Sequence, residues 1–204
     1  MKAINWKIII ITCIVCILPM FLGIYLLNDL PESVPIHFKV NNQADNFAPK
    51  EFVVFGFPFI MVALQSVCCI ISDLKSRKTE NITTFEKITK WIIPFITIVV
   101  YCTTIGIGVG LNIDVRKIIS GVLSIIFVVM GIFLPQLDYV KNMKVDAKTA
   151  KKINRFSGRI MIFLGILMFI TIFLPPNSVF LWFALSIISG IITAGYGIIM
   201  SKKQ

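Results

Sequence analysis

Ile8-Ile9-Ile10-Ile11-Thr12-Cys13-Ile14-Val15-Cys16-Ile17-Leu18-Pro19-Met20-Phe21-Leu22-Gly23-Ile24-Tyr25-Leu26-Leu27 carries no charged side chain along its whole length. A helix of about 20 such residues crosses the ~30 Å hydrocarbon core of a bilayer. The run is too long for the roughly 7–15-residue core of a signal peptide, and no small-x-small cleavage site follows it. It reads as an uncleaved first membrane helix. The rest of the chain agrees: of 204 residues, 57% are hydrophobic and 15% are charged, whereas a soluble domain is about half apolar and a quarter charged.

Working outward, five further runs read as spans, at about 52–72, 91–111, 117–136, 159–174 and 179–200. With the first, at about 7–27, they make six. In hydrocarbon every backbone group must be satisfied internally, so each span is a helix. The expected fold is an all-α membrane protein, a six-helix transmembrane bundle with one ordered extracellular loop carrying a short strand. Basic residues set the orientation. With the N-terminus inside, the inner segments hold 16 Lys and Arg and the outer ones hold Lys39, Lys50, Arg116 and Lys117. Both termini are therefore expected in the cytoplasm of a multi-pass plasma-membrane protein. The expected division is a two-helix unit, 1–72, carrying outer loop 28–51, and a four-helix unit, 73–204, carrying basic cytoplasmic segments 73–90 and 137–158.

Loop 28–51 holds the chain's one histidine. Val34, Ile36, Phe38 and Val40 alternate with Pro35, His37 and Lys39, the period of a short strand with one apolar face. Pro35 brings no N–H, which puts this strand at an edge or starts it there. Asn41-Asn42-Gln43-Ala44-Asp45-Asn46 reads as a turn, because Asn and Asp bond their own backbone and tolerate positive φ. Such a segment either seals the helix ends or offers an unpaired edge to an extended peptide. His37 shares the loop with Glu32, Asp45 and Glu51, but one histidine makes a poor metal site, and no metal or cofactor is expected.

Two cytoplasmic segments read as helices lying on the membrane. Thr83-Thr84-Phe85-Glu86 fits a capping box, with Glu86 and Lys90 spaced to pair. From about Asp146 to Arg159, Lys148, Lys152, Arg155 and Arg159 form one basic stripe, while Ala150, Ile153, Phe156 and Ile160 form an apolar one. That pattern suits an interfacial helix on an anionic leaflet or a docking surface for a cytoplasmic protein. Small residues in Gly106-Ile107-Gly108-Val109-Gly110, at Ser120, Gly121 and Ser124, and at Ser186, Gly190 and Ala194 mark close helix contacts, within one chain or in a homo-oligomer. Pro19, Pro58 and Pro94 mark kinks or helix starts. Cys13, Cys16, Cys68, Cys69 and Cys102 lie in apolar runs and read as packing residues. No ionisable residue sits near the middle of a span, which weighs against an ion-coupled transporter. No H-E-x-x-H, G-x-S-x-G or P-loop is present, and the chain reads as no enzyme. With no soluble basic domain, direct nucleic-acid binding is not expected.

Leu30-Pro31-Glu32-Ser33-Val34-Pro35-Ile36-His37-Phe38, followed by Asn41-Asn42-Gln43-Ala44-Asp45, Lys50 and then Pro58, resembles the outer-loop signature of a bacterial membrane domain of formerly unknown function found in SdpI-type immunity proteins. Asn154-Arg155-Phe156-Ser157-Gly158-Arg159 is similar, more loosely, to that family's basic segment before its fifth helix. Asn42 stands where the family usually has Gly. Asn142-Met143-Lys144-Val145-Asp146 lacks the N-x-x-x-G-x-R-T-P-W segment of many relatives. The resemblance implies protection from a secreted peptide or protein toxin met at the outer loop, and in some relatives recruitment of a cytoplasmic transcriptional repressor. It makes Pro35, His37, Phe38, Asn41, Asn42, Asp45 and Lys50 candidate ligand-binding residues. Lys148, Lys152, Arg155 and Arg159 are candidate partner- or lipid-binding residues. A small transporter or channel that exports the toxin is the alternative.

Overall fold

The computed structural model describes residues 4–76, 84–137 and 146–202. In order, the elements are α1 (Trp6–Ile17), α2 (Met20–Tyr25), β1 (Ser33–Phe38), β2 (Ala44–Pro49), α3 (Phe57–Ser76), α4 (Thr84–Gly108), α5 (Val115–Phe133), α6 (Ala147–Ile170) and α7 (Val179–Lys202). A π-helical turn, Phe52–Gly56, leads into α3. Among the described residues six segments are long and apolar enough to cross a membrane. They are Trp6–Tyr25, Phe52–Leu74, Thr84–Gly108, Val115–Gln136, Lys148–Phe173 and Phe180–Ser201. This is a multi-pass, helical membrane protein with one small antiparallel sheet, β1 paired with β2. Pro19 breaks the first span into α1 and α2.

The chain forms two compact units, Met1–Ile82 with Glu86–Ile118, and Thr83–Phe85 with Ile119–Gln204. From Glu86 onward, helix α4 lies in the first unit. The reason lies in two prolines. Pro94 brings no N–H to the carbonyl of Lys90 four residues back, and the Gln65 side chain of α3 donates Nε2 to that oxygen at 2.8 Å. Pro58 likewise brings none to Val54, and the Tyr101 hydroxyl of α4 donates to the Val54 oxygen at 3.2 Å. Each helix completes the other's backbone, and both donor residues are 1% exposed. The Tyr101 ring reaches this position only because Gly23 has no side chain: a Cβ there would stand 1.9 Å from its hydroxyl oxygen. Tyr101→Phe should therefore cost about 1–3 kcal/mol, the penalty for orphaning a buried acceptor. Thermal unfolding in detergent measures it, and an unchanged transition would show that the hydroxyl is dispensable.

A further tie uses the side chain of Lys90. Lys90 Nζ meets Asp73 Oδ1 at 2.5 Å, with side chains only 4% and 7% exposed. Asp73 Oδ2 accepts the backbone N–H of Asn5, whose own side chain caps α1 at Ile8. This corrects one expectation: Lys90 pairs with Asp73 rather than with Glu86. Both residues stand toward the ends of their membrane-length segments. Thr83, the expected cap, is outside the described residues.

The expectation that membrane-surface helices precede spans three and five is also corrected, because α4 and α6 are continuous over 25 and 24 residues. The apolar stripe of α6 is used within the protein: Ala150 and Ile153 are buried, and the Phe156 ring lies 4.2 Å from that of Tyr196 in α7. Gly158 does not interrupt α6, because it is where α6 meets α5. A Cβ on Gly158 would come within 2.5 Å of the Gly131 carbonyl, and one on Gly131 equally close to that of Gly158. Gly165 packs nearly as closely, since a Cβ there would stand 2.9 Å from Ser124 O and 3.0 Å from the Val128 nitrogen. Farther along, Trp182 Nε1 of α7 donates to Thr171 Oγ1 at 2.7 Å.

The Gly106–Gly110 run serves a different purpose from the helix contact expected of it. Gly110 has φ +93°, the Leu111 N–H donates to Gly106 O, and the Gly110 N–H donates to Ile107 O. That is a Schellman stop, which needs a residue free to adopt the left-handed conformation. Cys16 and Cys69 are buried as expected, whereas Cys68 and Cys102 are exposed on the helix surface.

Candidate functional site

The segment between α2 and α3 is a hairpin seated on helix ends. Val34 and Ala48 are cross-strand partners and both are buried. With Leu30 they pack on Val53, Val54, Tyr101 and Ile105. Gly108 makes room, since a Cβ there would stand 2.6 Å from Leu30 Cδ2 and 3.4 Å from Val34. One face of the hairpin is thus committed to the core of the first unit.

The tip is fixed as well. Asn42 adopts φ +65°, so asparagine does fill the left-handed position where glycine would be usual. Its side chain then bridges to the α4–α5 connection. Nδ2 donates to Ile113 O at 3.0 Å, and Oδ1 accepts the Val115 N–H at 2.9 Å. An Asn41–Gln43 pair, 2.9 Å between side chains, closes the turn. Asn42 is therefore a fastening between the hairpin and the start of α5. The expectation of one strand and a long turn is corrected: the turn is brief, and Ala44–Pro49 returns as β2. Register irregularities between Pro35 and Phe38 absorb the mismatch that Asp45 and Asn46 bring to a strand.

The remaining candidates fall into two pairs on the hairpin. His37 Nδ1 lies 2.5 Å from Asp45 Oδ1, with the His37 side chain 68% exposed. Lys50 Nζ donates to Glu32 Oε1 at 2.8 Å. That hydrogen bond, with lesser help from the charges of Glu32 and Glu51 and against slight desolvation, holds the Lys50 ammonium above its ordinary value. Pro35 and Phe38 are half-buried. Glu32 is drawn to Lys50 rather than toward His37, and no three His, Cys, Asp or Glu side chains gather as a metal site among the described residues.

The face opposite Val34 and Ala48 presents what sequence reasoning missed. Phe47 is the cross-strand partner of Pro35 and is 51% exposed, and Ile36 beside it is 44% exposed. The period-two pattern puts Ile36 on the apolar side, but the register is irregular there and Ile36 is exposed, while Phe47 lies just past the segment 41–46 that reads as a turn. The strand edges are poor templates for a third strand. Pro35 and Pro49 lack an N–H, and the Phe47 N–H is already donated to Asn46 Oδ1 at 2.9 Å. What the hairpin offers a ligand is side chains.

In the second unit Lys148, Lys152, Arg155 and Arg159 are all exposed along one side of α6. Asp146 caps this helix by accepting the Thr149 N–H at 3.0 Å. Its carboxyl is held below the ordinary value, first by the Thr149 side chain, against some desolvation, and then by the Thr149 backbone and Lys148 and Lys152. The segment 142–145, where many relatives of the resembled family carry their longer motif, lies outside the described residues.

Residues 14–62, from mid-α1 through the hairpin into α3, match a family model described as a domain of unknown function, DUF1648. No curated protein and no solved structure matches the chain.

Proposed function

We propose that this membrane protein is an SdpI-type immunity protein of the bacterial plasma membrane, which binds a secreted toxic peptide or protein on the outward face of its hairpin. The observation that carries this reading is the division of labour in the hairpin. Val34 and Ala48 anchor it, while Phe47 and Ile36 stand exposed on a rigid mount where loops otherwise carry polar residues. The match over residues 14–62 covers the same hairpin. Both termini are cytoplasmic in this reading, which the 16-to-4 distribution of Lys and Arg supports. The ligand contributes an apolar surface to cover Phe47 and Ile36, beside polar groups for His37 and Asp45.

Cells making the Ile36→Ala/Phe47→Ala variant at normal levels should need about 30-fold less toxin for killing, as expected when an exposed aromatic anchor is lost. His37→Ala, Phe38→Ala and Asp45→Ala should each weaken protection. Full protection by all of these variants would remove the hairpin as the site, and one-sided cysteine labelling that places 28–51 in the cytoplasm would remove the whole reading.

In the same reading, the basic side of α6 recruits a cytoplasmic repressor. Reversal of Lys148, Lys152 and Arg155 to Glu abolishes recruitment and spares resistance. The export alternative draws on the buried Lys90–Asp73 pair, since ionisable residues inside a membrane often line ion paths. Both Asp73 oxygens are engaged by Lys90 and Asn5, however. Toxin efflux from loaded vesicles would decide for export.

A further inference from the structure

We propose that the groove between α6 and α7 in the second unit is a binding site for one acyl chain of an anionic membrane phospholipid. The groove encloses about 760 Å³ and is lined by Phe127, Ile160 and Leu164 on one side and by Gly190, Ala194 and Gly197 on the other. That volume falls in the range of small-molecule sites.

Three observations select the occupant. The first is position and length. Every lining residue belongs to a membrane-length segment, and along α7 the groove runs from Ser189 to Ser201. At 1.5 Å per residue this is about 18 Å, close to one leaflet of a ~30 Å hydrocarbon core. The second is chemistry. The polar atoms along the groove are already satisfied within the chain: Asn154 donates to Leu137 O, Ser157 to Ile153 O, Ser189 to Ser186 O and Thr193 to Ser189 O. With these donors engaged, the wall presents mostly hydrocarbon to whatever fills it.

The third is charge. Lys151 stands three residues before Asn154, hence toward the groove side of α6, and is exposed near the start of that helix. A phosphodiester at this rim meets the Lys151 ammonium while its tail lies in the groove. Gly190 and Gly197 keep the furrow open. A Cβ at either would meet nothing within 4 Å, whereas Gly131, Gly158 and Gly165 are each required by a close backbone neighbour.

The full chain reconstituted in phosphatidylcholine nanodiscs, with a trace of phosphatidylglycerol bearing a photoreactive acyl chain, tests this. Irradiation should place adducts on 153–164 of α6 and 189–201 of α7 in preference to the lipid-facing residues of α1. Gly190→Leu/Gly197→Leu should reduce the groove adducts about ten-fold, the effect of denying the tail roughly two methylenes of burial. Lys151→Gln lies on the surface and leaves the groove intact. It should lower the preference for phosphatidylglycerol over an identically labelled phosphatidylcholine about five-fold, as expected of one cation near an anionic headgroup. Adducts spread evenly over all lipid-facing helices would overturn the proposal, as would groove adducts unchanged in the double-leucine variant. Cross-links between two copies through these residues, without lipid, would overturn it in favour of a second chain.

Discussion

Lys90→Met should destabilise the protein by about 3–5 kcal/mol, because it leaves the Asp73 carboxylate buried without its counter-ion. Both side chains are more than nine-tenths buried, and among the described residues the one remaining donor to Asp73 is the Asn5 N–H. The variant should lose its folded, monodisperse form at markedly lower temperature in detergent. The double variant Lys90→Met/Asp73→Leu should recover most of that loss, since replacing both members of a buried pair with apolar residues is often close to neutral. Equal transitions for the single and double variants would show that Asp73 finds solvent on its own and that the pair contributes little.

Gly131→Val should be comparably damaging to the second unit, at about 3 kcal/mol, the upper end for overpacking. The new Cβ would come within 2.5 Å of Gly158 O and 2.9 Å of the Ile162 nitrogen. These are backbone atoms, so no rotamer change relieves the clash and α5 must part from α6. Gly190→Leu supplies the contrast. With open space at that position, it should be neutral or stabilise by up to about 1 kcal/mol through helix propensity. The same unfolding measurement checks both, and similar losses for the two would mean that the open groove is occupied by protein.

The sequence made the spans legible because one long-range condition, the absence of water, leaves a helix as the only way for each apolar run to close its backbone. It made the anchoring of the hairpin half legible: Val34 was assigned to the covered face, but Ile36 followed the same alternation and the bulge defeats it. Asp45 and Asn46 carry turn propensity, and only pairing with β1 makes them a strand. The sequence pairs Lys90 with Glu86, four residues away on one helix, because its partner Asp73 lies 17 positions away on another. Gly106 and Gly110 matched a helix-contact spacing, yet a stop signal uses the same two glycines. Gly131 and Gly158, which do make the close contact, sit on different helices and form no spaced pair within either. Among the candidate ligand residues, Asn42 is taken by the α4–α5 connection, a tie between positions 71 and 73 residues apart that no local pattern announces.

The reciprocal completion of α3 and α4 bears on biogenesis. In hydrocarbon an unsatisfied carbonyl costs several kcal/mol, and each helix holds one, at Val54 and at Lys90, whose side-chain donor belongs to the other. Neither segment alone is a finished guest for the bilayer. A nascent chain arrested before α4 emerges should keep α3 inside the translocon, and release into lipid should follow only once Tyr101 has arrived, so that the two leave the channel as a single hairpin.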